Sequence, residues 1–129
     1  MTSGERDRES TLRRGNRDGL LTRIVPATLE SFDSEIRSRV PVLVEFWAPW
    51  CRPSWMIHPL VARIASEYAG RLKVVTLDAG DAPGVASRCG VHGVPLFVLF
   101  RDGSELDRRV GTAPIGQLRE WLERHLVPA

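Results

Sequence analysis

The ten residues FWAPWCRPSW, positions 46–55, set one cysteine among three tryptophans and two prolines. Cys51 follows an apolar run and opens a stretch with helical spacing. The unpaired N–H groups and positive dipole end of a first helical turn favour a thiolate over a thiol. Arg52 adds a cation next door, and Pro53 suits a first turn because its missing N–H would have had no partner there. Three residues after Cys51, where many redox proteins carry a second cysteine, stands Ser54. Residues three apart share a helix face, so the Ser54 hydroxyl is placed to donate a hydrogen bond to the thiolate. It cannot attack a disulfide, because an alcohol is not ionised at neutral pH. The chemistry these residues offer is that of half a dithiol.

Other residues could join them. Glu45 lies in the middle of the run VLVEFW, where a charge is costly and burial favours the neutral carboxyl. His58 reads as an ordinary exposed histidine rather than a proton shuttle. Trp47 reads as core. Trp55 lies off the apolar stripe of its helix, and an exposed tryptophan beside a reactive thiol suits a partner-binding surface. Cys89, at the end of a short helical stretch, reads as half-buried and unreactive. A zinc site would want a C-x-x-C pair, which is missing. An iron–sulfur cluster would need exogenous thiols and a second chain. Neither metal nor cofactor is expected.

The elements that must position Cys51 follow from periodicity. LTRIV (21–25) and VLVEFWA (42–48) read as strands, the second buried on both faces. Between them Leu29, Phe32 and Ile36 recur at helical spacing, with Thr28 as N-cap. Ile57, Leu60, Val61, Ile64, Ala65 and Tyr68 mark one long amphipathic helix over 51–69, kinked by Pro59 and closed by Gly70. LKVVTLD (72–78) is the next strand, and 82–89 a short helix. VPLFVLF (94–100), the turn RDGS and ELDRRV (105–110) form a hairpin. Ile115, Leu118, Leu122 and Leu126 mark a last helix. The order β-α-β-α-β-α-β-β-α implies an α/β fold, a mixed central sheet with helices on both faces.

The chain has 129 residues, which suits one domain, and 43% apolar residues, enough for a core. Residues 1–20 lack periodicity and read as a disordered, charged arm ahead of a domain at 21–129. That arm sets Arg6, Arg8, Arg13, Arg14 and Arg17 against Glu5, Asp7, Glu9 and Asp18, too balanced for a nucleic-acid arm. With no apolar stretch behind the arginines and no membrane-length run, the reading is a cytoplasmic protein without membrane partners.

Residues 22–127 resemble the thioredoxin family. The family's Trp-Cys-Gly-Pro-Cys reads here Trp50-Cys51-Arg52-Pro53-Ser54. The match continues through MIHPLVARIASEY (56–68) with Pro59, GVHGVP (90–95) with the family's cis-proline at Pro95, and GTAPIGQLREWL (111–122). The resemblance implies the thioredoxin fold, with Cys51 as nucleophile. Trp50, Arg52 and Pro53 would line its site, and the backbone at Val94 and Pro95 would pair with an extended substrate chain. It also implies a buried acid at Glu45, which in the family serves the second thiol, and a lysine partner on the next strand, where this chain has Thr76. With that thiol replaced by Ser54, Glu45 is left either to position a water or without a task. Further departures are Arg52 for glycine, Trp55 for a charged residue, His58 for a small one and Leu96 for threonine.

Two functions are compatible with these residues. One is a monothiol exchange protein, in which Cys51, helped by Ser54 and Glu45, forms mixed disulfides with disulfide-containing or glutathionylated client proteins. Glutathione, another external thiol or a thiol of the client itself would then release them, giving glutathione-dependent reduction or isomerisation of protein disulfides. The other is a binding or holdase module that keeps the groove without turnover.

Overall fold

The computed structural model of the chain describes residues 24–126, with the side chains of Ser54 and Trp55 excepted. The arm expected over 1–20, the first residues of the strand expected from Leu21, the Ser54 hydroxyl and the exposure expected for the Trp55 side chain lie outside that description. Five strands, β1 (Ile24–Pro26), β2 (Val42–Trp47), β3 (Lys73–Asp78), β4 (Leu96–Arg101) and β5 (Ser104–Val110), form one sheet in the order β1-β3-β2-β4-β5. β3 runs parallel to both β1 and β2. β4 runs antiparallel to β2 and to β5. The sheet is mixed, as the strand-helix alternation with a closing hairpin implies.

The helices are α1 (Phe32–Glu35), α2 (Arg52–Met56), α3 (His58–Glu67), α4 (Pro83–Arg88) and α5 (Ile115–His125). Thr28 starts the turn that leads into α1. Its hydroxyl accepts from the Ser31 N–H at 3.1 Å, while the Ser31 hydroxyl accepts from the Thr28 N–H at 2.9 Å. That reciprocal pair leaves neither amide orphaned. The single kinked helix expected over 51–69 is instead two helices, separated at Ile57. The physical reason is Pro59 in the first turn of α3: it has no N–H for the carbonyl four residues back, and its ring restricts the residue before it. At the far end the chain turns away through Gly70, at φ +87°. The β4–β5 hairpin turns through Asp102 and Gly103 at φ 52° and 82°, the paired positive angles that an Asp-Gly turn supplies between twisted strands.

Strand alternation sorts the sheet into two faces. Val42, Val44 and Phe46 of β2 pack with Val75, Leu77, Leu96 and Val98 beneath Phe32, Ile36 and Val85. Leu43 packs on the other face with Val74, Phe97 and Leu99 beneath α3 (Val61, Ile64, Ala65) and α5 (Leu118, Trp121, Leu122). Period two places Glu45 and Trp47 on Leu43's face, the side that α3 covers. β2 is buried through Phe46 and is followed, after Trp47, by the buried Ala48. The segment that follows is therefore held from below by the sheet centre.

Candidate active site

Cys51 stands where β2 gives way to α2. Its N–H donates to the Ala48 carbonyl at 3.1 Å, a tight turn that lifts the sulfur out of the sheet. The side chain is half-buried, and its Sγ faces the Val94 carbonyl at 3.6 Å. The Val94–Pro95 peptide bond is cis. Pro95 is buried, and its carbonyl accepts from the Gly111 N–H at 2.8 Å, which ties this turn to the end of β5. Residues 43 apart in sequence thus meet because β2 and β4 are neighbours in the sheet.

The loop that carries Val94 is fixed from β5. The Arg108 guanidinium donates to the carbonyls of Cys89 at 2.7 Å and Gly90 at 3.2 Å, and is itself held by Glu105 at 2.7 Å. Neither Cys51 nor Cys89 is joined in a disulfide. Burial pushes the Cys89 thiol above its usual range, against the opposing pull of Arg88 and Arg108. It is half-buried, as read from the sequence, and ill suited to nucleophilic attack.

Trp50 is 77% exposed. It rims an apolar groove of about 430 Å³ that Pro83, Val91 and Val94 also line. On the far side of the motif, Pro53 and the exposed Met56 border a second apolar hollow with Leu60 and Ala113. Arg52 is exposed at the start of α2, with Pro53 behind it in the first turn and Ser54 following in the same helix. The structure thus brings Cys51, Trp50, Pro53, Val94 and Pro95 to one end of the sheet.

Glu45 is 1% exposed. Thr76, its register partner on β3, donates its hydroxyl to Oε1 at 3.2 Å, filling the place where the resemblance called for a lysine. The other oxygen meets His58. Nε2 of the imidazole lies 3.2 Å from Glu45 Oε2, and the ring packs edge-on against Trp47 with centroids 4.8 Å apart. The reading of His58 as an ordinary exposed histidine is therefore corrected: alternation turns Glu45 toward α3, and His58 is the first residue of that helix. Trp47 is likewise half-buried beside His58 rather than enclosed in the core. The 3.2 Å contact lacks the alignment of a hydrogen bond, and neither facing atom has a hydrogen-bond partner among the described residues. The Coulomb attraction between an imidazolium and a carboxylate needs only the distance. The polar contact with Glu45 pushes His58 above the ordinary imidazole range, against the effect of its burial.

The thioredoxin family model matches residues 23–124. This chain belongs to the thioredoxin family. It is 43% identical over 100 residues to thioredoxin 1 of Nostoc sp., spanning 77% of this chain and 94% of that one. It is 41% identical over 97 residues to thioredoxin 1 of Synechococcus elongatus, over 74% and 91% of the two chains. With chloroplastic thioredoxin M4 of Arabidopsis thaliana it shares 42% over 92 residues, 71% of this chain and 48% of that longer one. The family is one of thiol–disulfide oxidoreductases, and the mixed five-stranded sheet with helices on both faces is its fold. Among the described residues no helix is long and apolar enough to cross a membrane, and no cluster of three or more His, Cys, Asp or Glu side chains could hold a metal ion.

Proposed function

We propose that the protein is a thiol–disulfide exchange protein of monothiol type. The observation that carries this reading is the Cys51 sulfur facing the Val94 carbonyl at 3.6 Å beside an exposed Trp50 and an apolar groove. A client chain laid along that groove would bring its disulfide to the sulfur. Cys51 thiolate attacks one sulfur of a client disulfide, the S–S bond breaks, a Cys51–client mixed disulfide forms, and the other client sulfur leaves as thiolate. With serine at position 54, no thiol stands three residues along the helix to resolve that adduct. An external thiolate such as glutathione then attacks the mixed disulfide, restoring Cys51 and carrying the client sulfur away as a new disulfide. A glutathionylated client enters the same scheme, with Cys51 taking either half. The supply of external thiol fits a reducing compartment such as the cytoplasm. Residues 1–20 would be an arm ahead of the domain.

The test is trapping. Wild type and Cys51→Ala are isolated from cells under thiol-blocking conditions, and adducts are identified by mass spectrometry. The reading expects covalent client or glutathione adducts on wild type alone. The exposed Trp50 and Met56, at 77% and 60%, favour a second reading, a holdase that grips unfolded chains without bond exchange. Equal, non-covalent partner sets on both proteins would establish that reading instead. Ser54→Cys sharpens the choice. If the serine is the missing group, the variant forms an internal disulfide with Cys51 and its mixed disulfides resolve faster, since the new thiol attacks intramolecularly. It should then reduce a disulfide-linked test protein with dithiothreitol as electron source.

A further inference from the structure

Glu45 and His58 sit on the two elements that flank Cys51. Glu45 belongs to β2, which leads through Ala48 into the cysteine, and His58 opens α3, immediately beyond the helix that the cysteine begins. The carboxylate is 1% exposed, whereas the imidazole is 37% exposed. Nε2 is covered and faces Glu45 Oε2 at 3.2 Å, so the exposed part of the ring is its other side. Between them and solvent lies a cleft of about 350 Å³ lined by Ile24, Trp47, Pro59, Ala62 and Thr76 as well as the pair. Of the elements packed there, β1 presents Ile24, β3 presents Thr76, and α3 presents Pro59 and Ala62. β4 places Phe97 opposite Glu45 in register. Among the described residues Glu45 and His58 are the only ionisable side chains lining the cleft. Of the charged groups on the same elements, Lys73 is held on Glu35, Asp78 on the Gly80 N–H and Glu67 on Arg119, and Arg63 of α3 also acts on Glu67.

We propose that His58 is the charge partner of Glu45, an imidazole that gains and loses its proton with solvent beside the buried carboxylate and so sets the net charge of a pair carried on the elements that flank Cys51. A half-exposed ring with one nitrogen inside and one outside can take up and release a proton at Nδ1 while Nε2 stays against the carboxylate. With His58 protonated the pair is an imidazolium and a carboxylate, neutral overall. When His58 loses its proton, one negative charge remains on the strand that leads into Cys51, and it would oppose thiolate there. The direction of the imidazole's displacement, upward through its contact with Glu45, agrees with this couple. The role would explain how a buried carboxylate persists here with threonine, not lysine, on the adjoining strand. It deepens the exchange reading, but its test uses no exchange reaction, so the two can fail separately.

Two measurements decide it. The chain has three histidines, so the His58 ring resonance can be assigned by its loss in His58→Gln and followed against pH in wild type and Glu45→Gln. The midpoint should be lower in Glu45→Gln; an unmoved midpoint overturns the pairing. The second measurement is the rate of Cys51 alkylation against pH in a Cys89→Ala background. Besides the rise from the thiol itself, the profile should show an inflection at the His58 midpoint, where the rate falls short of a single titration by about three- to tenfold. A unit charge roughly 10 Å away produces that much at a protein edge. The inflection should vanish in His58→Gln and move to higher pH in His58→Lys, whose cation outlasts an imidazolium. A wild-type profile that fits one titration, or an inflection unaffected by both substitutions, overturns the proposal. A merely structural histidine would alter stability in these variants without moving the inflection.

Discussion

Thr76→Val tests how the buried carboxylate is held. Valine matches threonine in volume and strand propensity, so the change deletes one hydroxyl and little else. That hydroxyl donates to Glu45 Oε1 at 3.2 Å, at a carboxylate that is 1% exposed. A hydrogen bond to a charged group contributes about 1.5–3 kcal/mol, and leaving a buried acceptor unmet costs a similar amount. Thr76 is only half-buried and lines the cleft, so a water entering from solvent can replace part of the lost bond. The expected cost at pH 7 is therefore toward the lower end, about 1–2 kcal/mol, or roughly a 5- to 30-fold shift in the unfolding equilibrium. In a domain of this size that lowers Tm by about 4 °C or more. The control is the same substitution in Glu45→Leu, where no carboxylate awaits the hydroxyl. There Thr76→Val should be neutral within about 0.5 kcal/mol. Glu45→Leu can itself match or exceed wild-type stability, since well-packed apolar residues often outdo buried charges, and the half-exposed His58 left behind can hydrate. Urea unfolding of the four proteins gives the coupling directly. Equal costs in the two backgrounds, or no cost in wild type, would refute the claim that Thr76 supports Glu45.

Three further expectations rest on other contacts. Burial, reinforced by Glu123, pushes the Tyr68 phenol up to about 12, and Tyr68 is the sole tyrosine. Ultraviolet titration of native protein should thus show little tyrosinate near pH 10, and a midpoint there would contradict the packing. Because this group holds its proton more tightly when folded, its contribution to stability is complete below pH 10 and is lost as pH rises toward 12. The Asp107 carboxylate is held below its usual range by the Trp121 and Arg108 N–H groups and by His125. Its contribution is present above the ordinary carboxylate range and fades as pH falls through the depressed value; Asp107→Asn should flatten that acid limb of a pH–stability curve. Arg108→Ala frees the carbonyls of Cys89 and Gly90. Amide exchange at Gly90 and Val91 should quicken by roughly tenfold, with the interior of β4 unaffected.

Much of the fold was legible because apolar periodicity is strong where the elements are long. β2, β3 and β4 appear in the sequence as apolar runs with sharp ends, and the Asp-Gly of the hairpin announces its own turn geometry. What periodicity does not encode is where a helix divides. The stripe from Ile57 to Tyr68 continues smoothly through Pro59, yet the missing N–H breaks the backbone at Ile57 and makes two helices of one pattern. The place of Cys51 between strand and helix was legible for a related reason, since the strand–Cys–x–Pro–helix order is local. His58 was not. Its partner lies thirteen positions back, and their meeting depends on which helix covers which sheet face. The usable signal was the alternation of Leu43, Glu45 and Trp47, which puts the acid on one face; that α3 lies over that face is a tertiary fact.

The loss of one thiol bears on the rest of the site in a specific way. In the proposed exchange, Cys51 beside the Val94 carbonyl and an open groove would serve the attack half. Resolution from within would lack its atom, since serine stands at position 54. A protein that attacks but does not resolve accumulates adducts, and the lifetime of each adduct is set by the external thiol rather than by the fold. Around the sulfur this chain departs from the family pattern at Arg52 beside the thiol, at Trp55 in the same helix, and at a His58–Glu45 pair with threonine in the place of lysine. A buried acid with no second thiol to serve would otherwise be a burden that an apolar residue relieves. The polar contacts from Thr76 and His58 give Glu45 partners on β3 and α3 in place of a second cysteine.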